Sequence, residues 1–280
     1  MDGAALARKV RAAVAGEVAA LGHVGLATVL VGEDPASQVY IGLKHKAATE
    51  AGFEPTDHRL PASTSQSELL ELVEQLNGDD GVDGLLVQLP LPDHIDEGAV
   101  LRGIEPVKDV DGVHPLNAGF LALGTPTIVP ATPRGCIALL DEYGVALEGA
   151  RTVVIGRSNI VGKPVAQLLV QRNATVTVCH SRTRDLAAHL READVVVAAV
   201  GRPRLVKAEM VKPGAAVIDV GVNRTDEGLV GDVDPGVAEL AGLLSPVPGG
   251  VGPMTIAMLL QNTVQAARLR RNGGYPGNTS

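Results

Sequence analysis

The chain has 280 residues, 45% of them hydrophobic and 20% charged, which excludes a disordered protein and provides material for one large or two ordinary domains. A net charge of −8 and an aromatic content of 2% disfavour nucleic-acid binding, because acidic surfaces repel phosphate and single-strand readers stack bases on aromatic rings. With two cysteines and no apolar run of about 18 residues, the sequence predicts a cytoplasmic protein without a disulfide framework or a membrane span.

The first half of the chain alternates helix-like and strand-like segments. Apolar residues at helical spacing predict an amphipathic helix at the N-terminus. Asp34 and Pro35 are typical of a helix cap and a first helical position, and Ser65 with Glu68 forms a capping box. The predicted elements are, in order, a helix (6–21), a strand (24–31), a helix (35–51), a helix (65–78) and a buried strand (84–87).

The alternation starts again after an irregular stretch at roughly 109–130. The predicted elements here are a helix from 132, a strand at 152–155, a helix from 161, strands at 174–179, 194–200 and 216–220, and a final amphipathic helix at 253–270. Strands that alternate with helices favour a parallel sheet with helices on its faces. The sequence therefore predicts an α/β fold with two domains, whose boundary lies near residue 130.

A glycine turn lies between Val153 and Gly162, in the order strand, turn, helix. This order suits a nucleotide phosphate, because a helix N-terminus offers free N–H groups. The spacing departs from the usual G-x-G-x-x-G, since Ser158 stands at the second glycine and Gly162 comes one position late. By itself, the turn is as well explained by structure alone as by nucleotide binding.

The end of the following strand bears on the choice of nucleotide. An NAD site usually has an acidic residue about 20 residues further on, but here no acid appears before Asp185. The strand end instead carries hydroxyl and guanidinium groups, at Ser181, Arg182, Thr183 and Arg184. Because guanidinium groups form forked hydrogen bonds with phosphate, this pattern, with Arg157 in the turn, favours the 2′-phosphate of NADP. The alternative is a loop whose arginines only face solvent.

One helix carries a candidate proton carrier. Tyr40 and Lys44 are four residues apart, so they share a helix face. A desolvated lysine has a lowered pKa and moves protons near neutral pH. The alternative is a surface lysine, and spacing alone does not separate Lys44 from His45 or Lys46.

Further polar groups interrupt apolar or turn-rich segments. Gln88 follows a buried strand, at the strand end where ligands bind in open α/β sheets. Asp109 and Asp111 either shape a turn or bind a guanidine-like ring edge, and without histidine or cysteine nearby they are a weak metal signal. The loop 246–253 either begins a helix or lets a ligand approach its glycine-rich backbone.

Together these segments resemble one enzyme family. The matching stretches, in family order between about residues 24 and 265, are VGEDPASQVYIGLKHKAATEAG, DGLLVQLPLP, KDVDGVHPLNAG, TPRG, VVIGRSNIVGKP, ATVTVCHSRT, GAAVIDVGVN and PVPGGVGPMT. They are similar to the bifunctional methylenetetrahydrofolate dehydrogenase/methenyltetrahydrofolate cyclohydrolase family, for which VQLPLP and PVPGGVGPMT are highly specific. The irregular glycine turn is this family's own pattern.

The resemblance implies a role for each candidate residue. Lys44 matches the catalytic lysine, and Tyr40 the tyrosine that packs by the folate ring. Gln88 matches the glutamine that tunes the lysine, and Asp111 the acid that binds the pterin edge, with Asp109 secondary. Folate contacts are also implied for Val87, Leu89, Pro248, Gly249, Gly250, Val251 and Gly252. NADP contacts are implied for Gly156, Arg157, Ser158, Ser181, Arg182, Thr183 and Val222.

The implied reaction is NADP-dependent oxidation of methylenetetrahydrofolate, followed by hydrolysis of the methenyl product to formyltetrahydrofolate. The implied organisation is a catalytic folate-binding α/β domain (1–130) joined by a C-terminal helix (252–272), and a Rossmann-like NADP-binding domain with a parallel sheet (131–251). A homodimer without a bound metal is implied as well, with tetrahydrofolate one-carbon derivatives as its partners.

The residues alone are also compatible with two other classes of protein. One is a different two-domain NADP oxidoreductase acting on a keto or hydroxy acid, which would lack the folate-side blocks. The other is a non-catalytic nucleotide-binding regulator, which the intact set of candidate catalytic side chains disfavours.

Overall fold

The computed structural model describes residues 1–275, which divide into two compact units. Unit I contains residues 9–131 and 256–275, and unit II contains residues 1–8 and 132–255. Both the first and the last helix of the chain therefore contribute residues to two units. The functional domain limits expected from the sequence, 1–130 and 131–251, stay a prediction.

Helices and strands alternate along both units. The helices are α1 (Gly3–Leu21), α2 (Pro35–Glu50), α3 (Gln66–Gly78), α4 (Glu97–Gly103), α5 (Pro115–Ala122), α6 (Ala131–Glu142), α7 (Gly162–Gln171), α8 (Leu186–Arg191) and α9 (Val251–Arg271). The strands are β1 (Gly25–Val31), β2 (Glu54–Leu60), β3 (Gly84–Val87), β4 (Arg151–Ile155), β5 (Thr175–Cys179), β6 (Val195–Ala198), β7 (Ala216–Asp219), β8 (Asn223–Thr225), β9 (Gly228–Val230) and β10 (Leu243–Leu244). The predicted α/β class is confirmed.

Unit I is built on a parallel three-stranded sheet with the order β2-β1-β3. All seven residues of β1 are buried, and one face of β1 shares an apolar core with α3 through Ala27, Val29, Val31, Leu69, Val73 and Leu76. Because β2 and β3 lie on opposite sides of β1, the strand order reverses at β1. The carboxyl ends of β1 and β3 therefore flank the point at which open α/β sheets bind ligands.

Unit II is built on a parallel five-stranded sheet with the order β10-β7-β6-β4-β5. The chain goes from β4 to β5 on one side and then crosses to β6 on the other, so the order reverses between β4 and β6. This is a doubly wound, Rossmann-like arrangement, which confirms the prediction of a parallel sheet for this half of the chain. A small antiparallel hairpin, β8–β9, lies between β7 and β10 along the chain.

Local sequence signals fix the helices of unit I. The Asp34 side chain accepts a hydrogen bond from the Ser37 backbone N–H at the start of α2, and Ser65 and Glu68 form the predicted reciprocal capping box. At the other end of the chain, Arg270 in α9 donates to the Asp83 carboxylate over 2.7 Å. This ion pair fixes α9 beside the start of β3. Within residues 1–275, the structure has no helix long and apolar enough to cross a membrane.

Candidate functional site

In unit I, a lysine and a glutamine meet at the carboxyl end of the sheet. Lys44 lies on α2, which follows β1, and Gln88 follows β3. The Lys44 Nζ donates to the Gln88 Oε1 over 2.9 Å. The Gln88 side chain is itself oriented, because its Nε2 donates to the Leu89 carbonyl oxygen over 2.6 Å. The adjacent parallel strands thus bring together two candidate residues that are far apart in the sequence.

The environment of Lys44 favours the neutral amine. The residue is only 7% exposed, and burial lowers its pKa from the ordinary value, while the negative charge of Asp111 partly opposes that change. Burial has this effect because a charged amine loses hydration that the protein does not fully replace. A lysine whose pKa is lowered in this way gives up its proton more readily than an exposed lysine, as a group that accepts and returns protons must.

The neighbours of Lys44 on α2 have other surroundings. Tyr40, one turn earlier, is 41% exposed. His45 shares a hydrogen bond of 2.6 Å with the Thr28 hydroxyl of β1. Lys46 is exposed to solvent and lies 3.9 Å from the Glu50 carboxylate. Burial and the contact with Gln88 therefore distinguish Lys44 from the neighbouring basic residues, which the sequence pattern did not.

In unit I, the carboxylate of Asp109 is used to stabilise a loop. Its buried carboxylate accepts hydrogen bonds from the backbone N–H groups of Gly112 and His114 and from the Asn117 side chain, over 3.1, 2.7 and 2.9 Å. Burial raises the pKa of Asp109 to about 6. These hydrogen bonds stabilise the loop that carries Asp111. Asp109 is therefore buried within that loop, whereas Asp111 is partly exposed.

The bonds around Asp109 continue to residues that the sequence reasoning missed. The Tyr275 hydroxyl donates to the Asn117 Oδ1 over 2.7 Å, and the Tyr275 ring packs against Phe120 with ring centroids 5.1 Å apart. A chain of hydrogen bonds thus runs from Tyr275, after α9, to the loop of Asp111. Asn117 lay within a quoted motif, but no sequence signal pointed to Tyr275.

In unit II, the glycine turn after β4 is shaped by close backbone approach. Gly156 has a φ of +120°, and a Cβ there would lie 2.2 Å from the Ala199 carbonyl oxygen. The Ser158 hydroxyl accepts from the backbone N–H groups of Val161 and Gly162 over 3.2 and 3.3 Å. The serine that breaks the usual glycine spacing thus organises the start of α7.

A crevice of about 450 Å³ opens at the reversal of strand order in unit II. The polar part of its lining comprises Arg157, His180, Ser181, Thr183 and Arg202. The His180 backbone N–H donates to the Thr183 hydroxyl over 2.8 Å, which fixes the turn after β5. The described lining contains two guanidinium groups and no carboxylate. This donor set fits a nucleotide that carries phosphate groups. Arg182 is exposed and is not part of this lining.

A buried acid, which the sequence reasoning also missed, holds the segment that follows β7. Asp219, at the end of β7, accepts from the Gly221 N–H over 3.1 Å and from the Asp232 N–H over 2.9 Å. Burial raises the pKa of Asp219 to about 6. These bonds fix the segment before Val222, whose side chain is 45% exposed. The available signal was an acid that ends an apolar strand.

The loop 246–250 and the first residues of α9, up to residue 255, lie in unit II. Gly249 has a φ of +105°, and the Gly250 N–H donates to the Pro246 carbonyl oxygen over 2.8 Å. Val251 and Gly252 begin α9. Of the other predicted folate contacts, Val87 is buried in the core of unit I and Leu89 is partly exposed. The expectation that these segments contact folate stays a prediction.

Comparisons with known proteins agree over nearly the whole chain. The catalytic domain of the tetrahydrofolate dehydrogenase/cyclohydrolase family matches residues 1–111, and the NAD(P)-binding domain of that family matches residues 130–271. The bifunctional protein FolD of Moorella thermoacetica is 58% identical over 274 residues, which are 96% of this chain and 98% of that protein.

Solved structures give the same result. The bifunctional methylenetetrahydrofolate dehydrogenase/cyclohydrolase of Campylobacter jejuni is 47% identical, with a TM-score of 0.94 over 96% of this chain and 98% of that one. The Trypanosoma brucei enzyme, solved with NADP and an inhibitor, is 43% identical, with a TM-score of 0.93 over 98% of each chain. This chain therefore belongs to the tetrahydrofolate dehydrogenase/cyclohydrolase family.

Proposed function

We propose that the protein oxidises methylenetetrahydrofolate with NADP and then hydrolyses the methenyl product to formyltetrahydrofolate. The observation that carries this proposal is the buried Lys44 amine bonded to Gln88, in a chain of this family. The substrate would occupy the carboxyl end of the sheet in unit I, beside that amine. Tetrahydrofolate one-carbon derivatives are accordingly its proposed ligands.

In unit I, each candidate residue has a proposed part in binding or proton transfer. Tyr40 would pack against the folate ring, for which its exposed position on α2 is suited. Asp111 would accept hydrogen bonds from the amino-pyrimidine edge, as carboxylates do from guanidinium groups. Asp109 would only hold the Asp111 loop. Residues 87–89 of this unit are proposed to contact the folate as well, and the family resemblance implies folate contacts for residues 248–252 of unit II.

In unit II, the crevice residues would hold the cofactor. NADP, when bound, accepts a hydride from the substrate. The Gly156 turn allows the nucleotide to approach the backbone closely, and Ser158 fixes the helix start behind it. Arg157 and the polar side chains at 181–183 would bind the 2′-phosphate. The acid-free lining supports NADP over NAD, and Val222 is proposed to lie beside the nicotinamide.

The hydrolytic step needs an acid–base group. Water would add its oxygen to the methenyl carbon while one of its protons passes to the Lys44 Nζ. The same proton would then go to the ring nitrogen as the carbon–nitrogen bond breaks, while the second proton of the added water leaves to solvent and the formyl carbonyl forms. Gln88 would hold the amine in place and adjust its pKa. Such proton transfers contribute factors of about 10² to 10⁴ in rate.

We further propose that the protein acts in the cytoplasm as a homodimer. Both cysteines, Cys136 and Cys179, are buried free thiols, which suits a reducing compartment. The dimer rests on the family resemblance, and sedimentation velocity of the purified chain tests it. A monomer at micromolar concentration would contradict this part of the proposal.

A spectrophotometric assay of the full chain tests the proposed activities. Methylenetetrahydrofolate is supplied with NADP or with NAD, and the absorbances of reduced nicotinamide and of the methenyl product are followed separately. We expect reduction of NADP in preference to NAD, without build-up of the methenyl compound. Methenyl accumulation would contradict the hydrolytic step. Failure to turn over folate with either cofactor would contradict both activities and favour another NADP oxidoreductase or a regulator.

A further inference from the structure

One cationic residue of the unit II crevice, Arg202, belongs neither to the glycine turn after β4 nor to the segment after β5. Arg202 follows β6 and lines the crevice together with Arg157, Ser181 and Thr183. It therefore comes from the opposite side of the strand-order reversal. A phosphate group in the crevice would have guanidinium groups from two separate loops within the same lining.

The backbone at Arg202 is fixed before any ligand binds. The Asp232 carboxylate is fully buried and accepts hydrogen bonds from the backbone N–H groups of Val200, Gly201 and Arg202 over 2.7, 3.0 and 2.7 Å. Pro203 follows, and a residue before proline is restricted to extended conformations. A fixed backbone limits the conformational entropy that Arg202 loses when it binds a ligand.

Arg202 differs in its electrostatic surroundings from three arginines of unit II that form ion pairs. Arg151, Arg172 and Arg204 are paired with Glu192, Asp141 and Glu227, respectively. Within the described chain no carboxylate lies in ion-pair range of Arg202, and its one fixed polar contact is the backbone bond to Asp232. Its charge is thus available to an anion in the crevice.

We propose that Arg202 is a specificity-determining residue that, with Arg157, binds the 2′-phosphate of NADP. The inference rests on the proposed function, because it takes NADP as the cofactor. Asp232 is the positioning residue, since it holds the Arg202 backbone and does not line the crevice. NADP specificity then depends on both sides of the crevice and not on the β5 strand end alone.

The test compares two small probes by isothermal titration calorimetry on the full chain. Adenosine 2′,5′-bisphosphate carries the 2′-phosphate, whereas ADP does not. Arg202→Gln removes the charge, and Arg202→Lys keeps it without the forked geometry. The control is Arg191→Gln, an exposed arginine on α8 outside the crevice.

We expect wild type to bind the 2′,5′-bisphosphate more tightly than ADP. Arg202→Gln should weaken binding of the 2′,5′-bisphosphate by about tenfold and leave the affinity for ADP unchanged. Arg202→Lys should have an intermediate affinity for the bisphosphate, and the control should bind both probes like wild type. Equal weakening of both probes, or no change in Arg202→Gln, would overturn the inference while the NADP proposal stands. A wild type without preference for the 2′-phosphate would instead overturn the proposed cofactor, and the inference with it.

Discussion

In unit I the candidate site centres on one buried amine, whereas in unit II the crevice is formed by backbone turns and exposed guanidinium groups. Lys44 is 7% exposed and bonded to Gln88, while Arg157 and Arg202 remain exposed. The difference follows from the proposed chemistry. A proton carrier benefits from a pKa below that of an exposed lysine, and burial lowers the pKa of Lys44. A nucleotide needs close backbone approach and charges accessible from solvent.

This contrast predicts that substitutions in the two units change different quantities. Changes around Lys44 should alter the rate or the pH dependence of hydrolysis, whereas changes in the crevice should alter nucleotide affinity. The substitutions below test that separation.

The largest effect is expected for Lys44→Met. The variant keeps the apolar length of the side chain but removes the amine, so hydrolysis of the methenyl substrate should fall by about 10² to 10⁴. Hydride transfer to NADP should continue, because it needs no acid–base group, and methenyl product should accumulate. Lys46→Met is the matched control, since Lys46 lies on the same helix but is exposed. Unchanged hydrolysis in Lys44→Met would remove the lysine from the mechanism.

A large effect on binding is expected for Gly156→Ala. The methyl group would lie 2.2 Å from the Ala199 carbonyl oxygen, at a φ of +120°. Strain and overpacking of roughly 1–3 kcal/mol each should weaken NADP binding by about 100-fold and lower the melting temperature.

The control for Gly156→Ala is Gly144→Ala. Gly144 has a φ of +65° and no atom within 4 Å of the added Cβ, so it carries backbone strain without the clash. Calorimetric titration with NADP should show normal affinity in the control. Equal losses of NADP affinity in both variants would mean that Gly156 affects binding only through the stability of the fold.

Asp111→Ala should weaken folate binding in both reactions. A bound amino edge that loses its acceptor costs about 1–3 kcal/mol, so KM for methylene- and methenyltetrahydrofolate should rise by about tenfold, with KM for NADP unchanged. Asp93→Ala removes an exposed acid of the same unit as a control. A change confined to one of the two reactions would contradict a role in substrate binding.

Gln88→Glu should move the pH dependence of hydrolysis. A carboxylate 2.9 Å from the Lys44 amine would favour the protonated form and raise the pKa of Lys44. If the neutral amine is the base, the rise of kcat/KM with pH should shift upward by about one unit. Gln75→Glu adds the same charge at an exposed position of α3. A shift toward lower pH, or none, would show that Gln88 does not tune the lysine.

Sequence patterns predicted the α/β class because the buried strands β1, β3, β4, β6 and β7 are largely apolar. They missed β2, whose sequence EPTDHRL carries charges and lies at a sheet edge with a largely exposed pattern. The short helices α4 and α5 were missed as well. A strand paired on one side only does not need the apolar run by which a buried strand is recognised.

The candidate side chains were found from residue type and position, but their contacts were not. A spacing of four placed Tyr40 and Lys44 on one helix face, yet the partner of Lys44 is 44 positions away in sequence. That contact arises from the parallel pairing of β1 with β3. Arg202 went unnoticed for a related reason, since only the strand order brings the β6 loop to the same crevice as the β4 turn.

The smallest predicted effect concerns Tyr275, which would act on the folate site only through Asn117 and Asp109. Tyr275→Phe removes the hydroxyl that donates to the Asn117 Oδ1 but keeps the ring beside Phe120. One hydrogen bond contributes about 0.5–1.5 kcal/mol, and only part of that reaches the Asp111 loop. KM for the folate substrates should therefore rise a few-fold, while kcat and the KM for NADP stay unchanged.

Tyr143→Phe is the matched control for this step, because the Tyr143 hydroxyl accepts from the Asp2 N–H in unit II. If Tyr275→Phe lowered only the melting temperature, the bond would serve stability alone. A rise in folate KM that the control lacks would show that the position of the Asp111 loop depends on contacts outside that loop, including the Tyr275 hydroxyl. Binding in unit I would then depend on an extended side-chain network, in contrast to the local backbone turns of the unit II crevice.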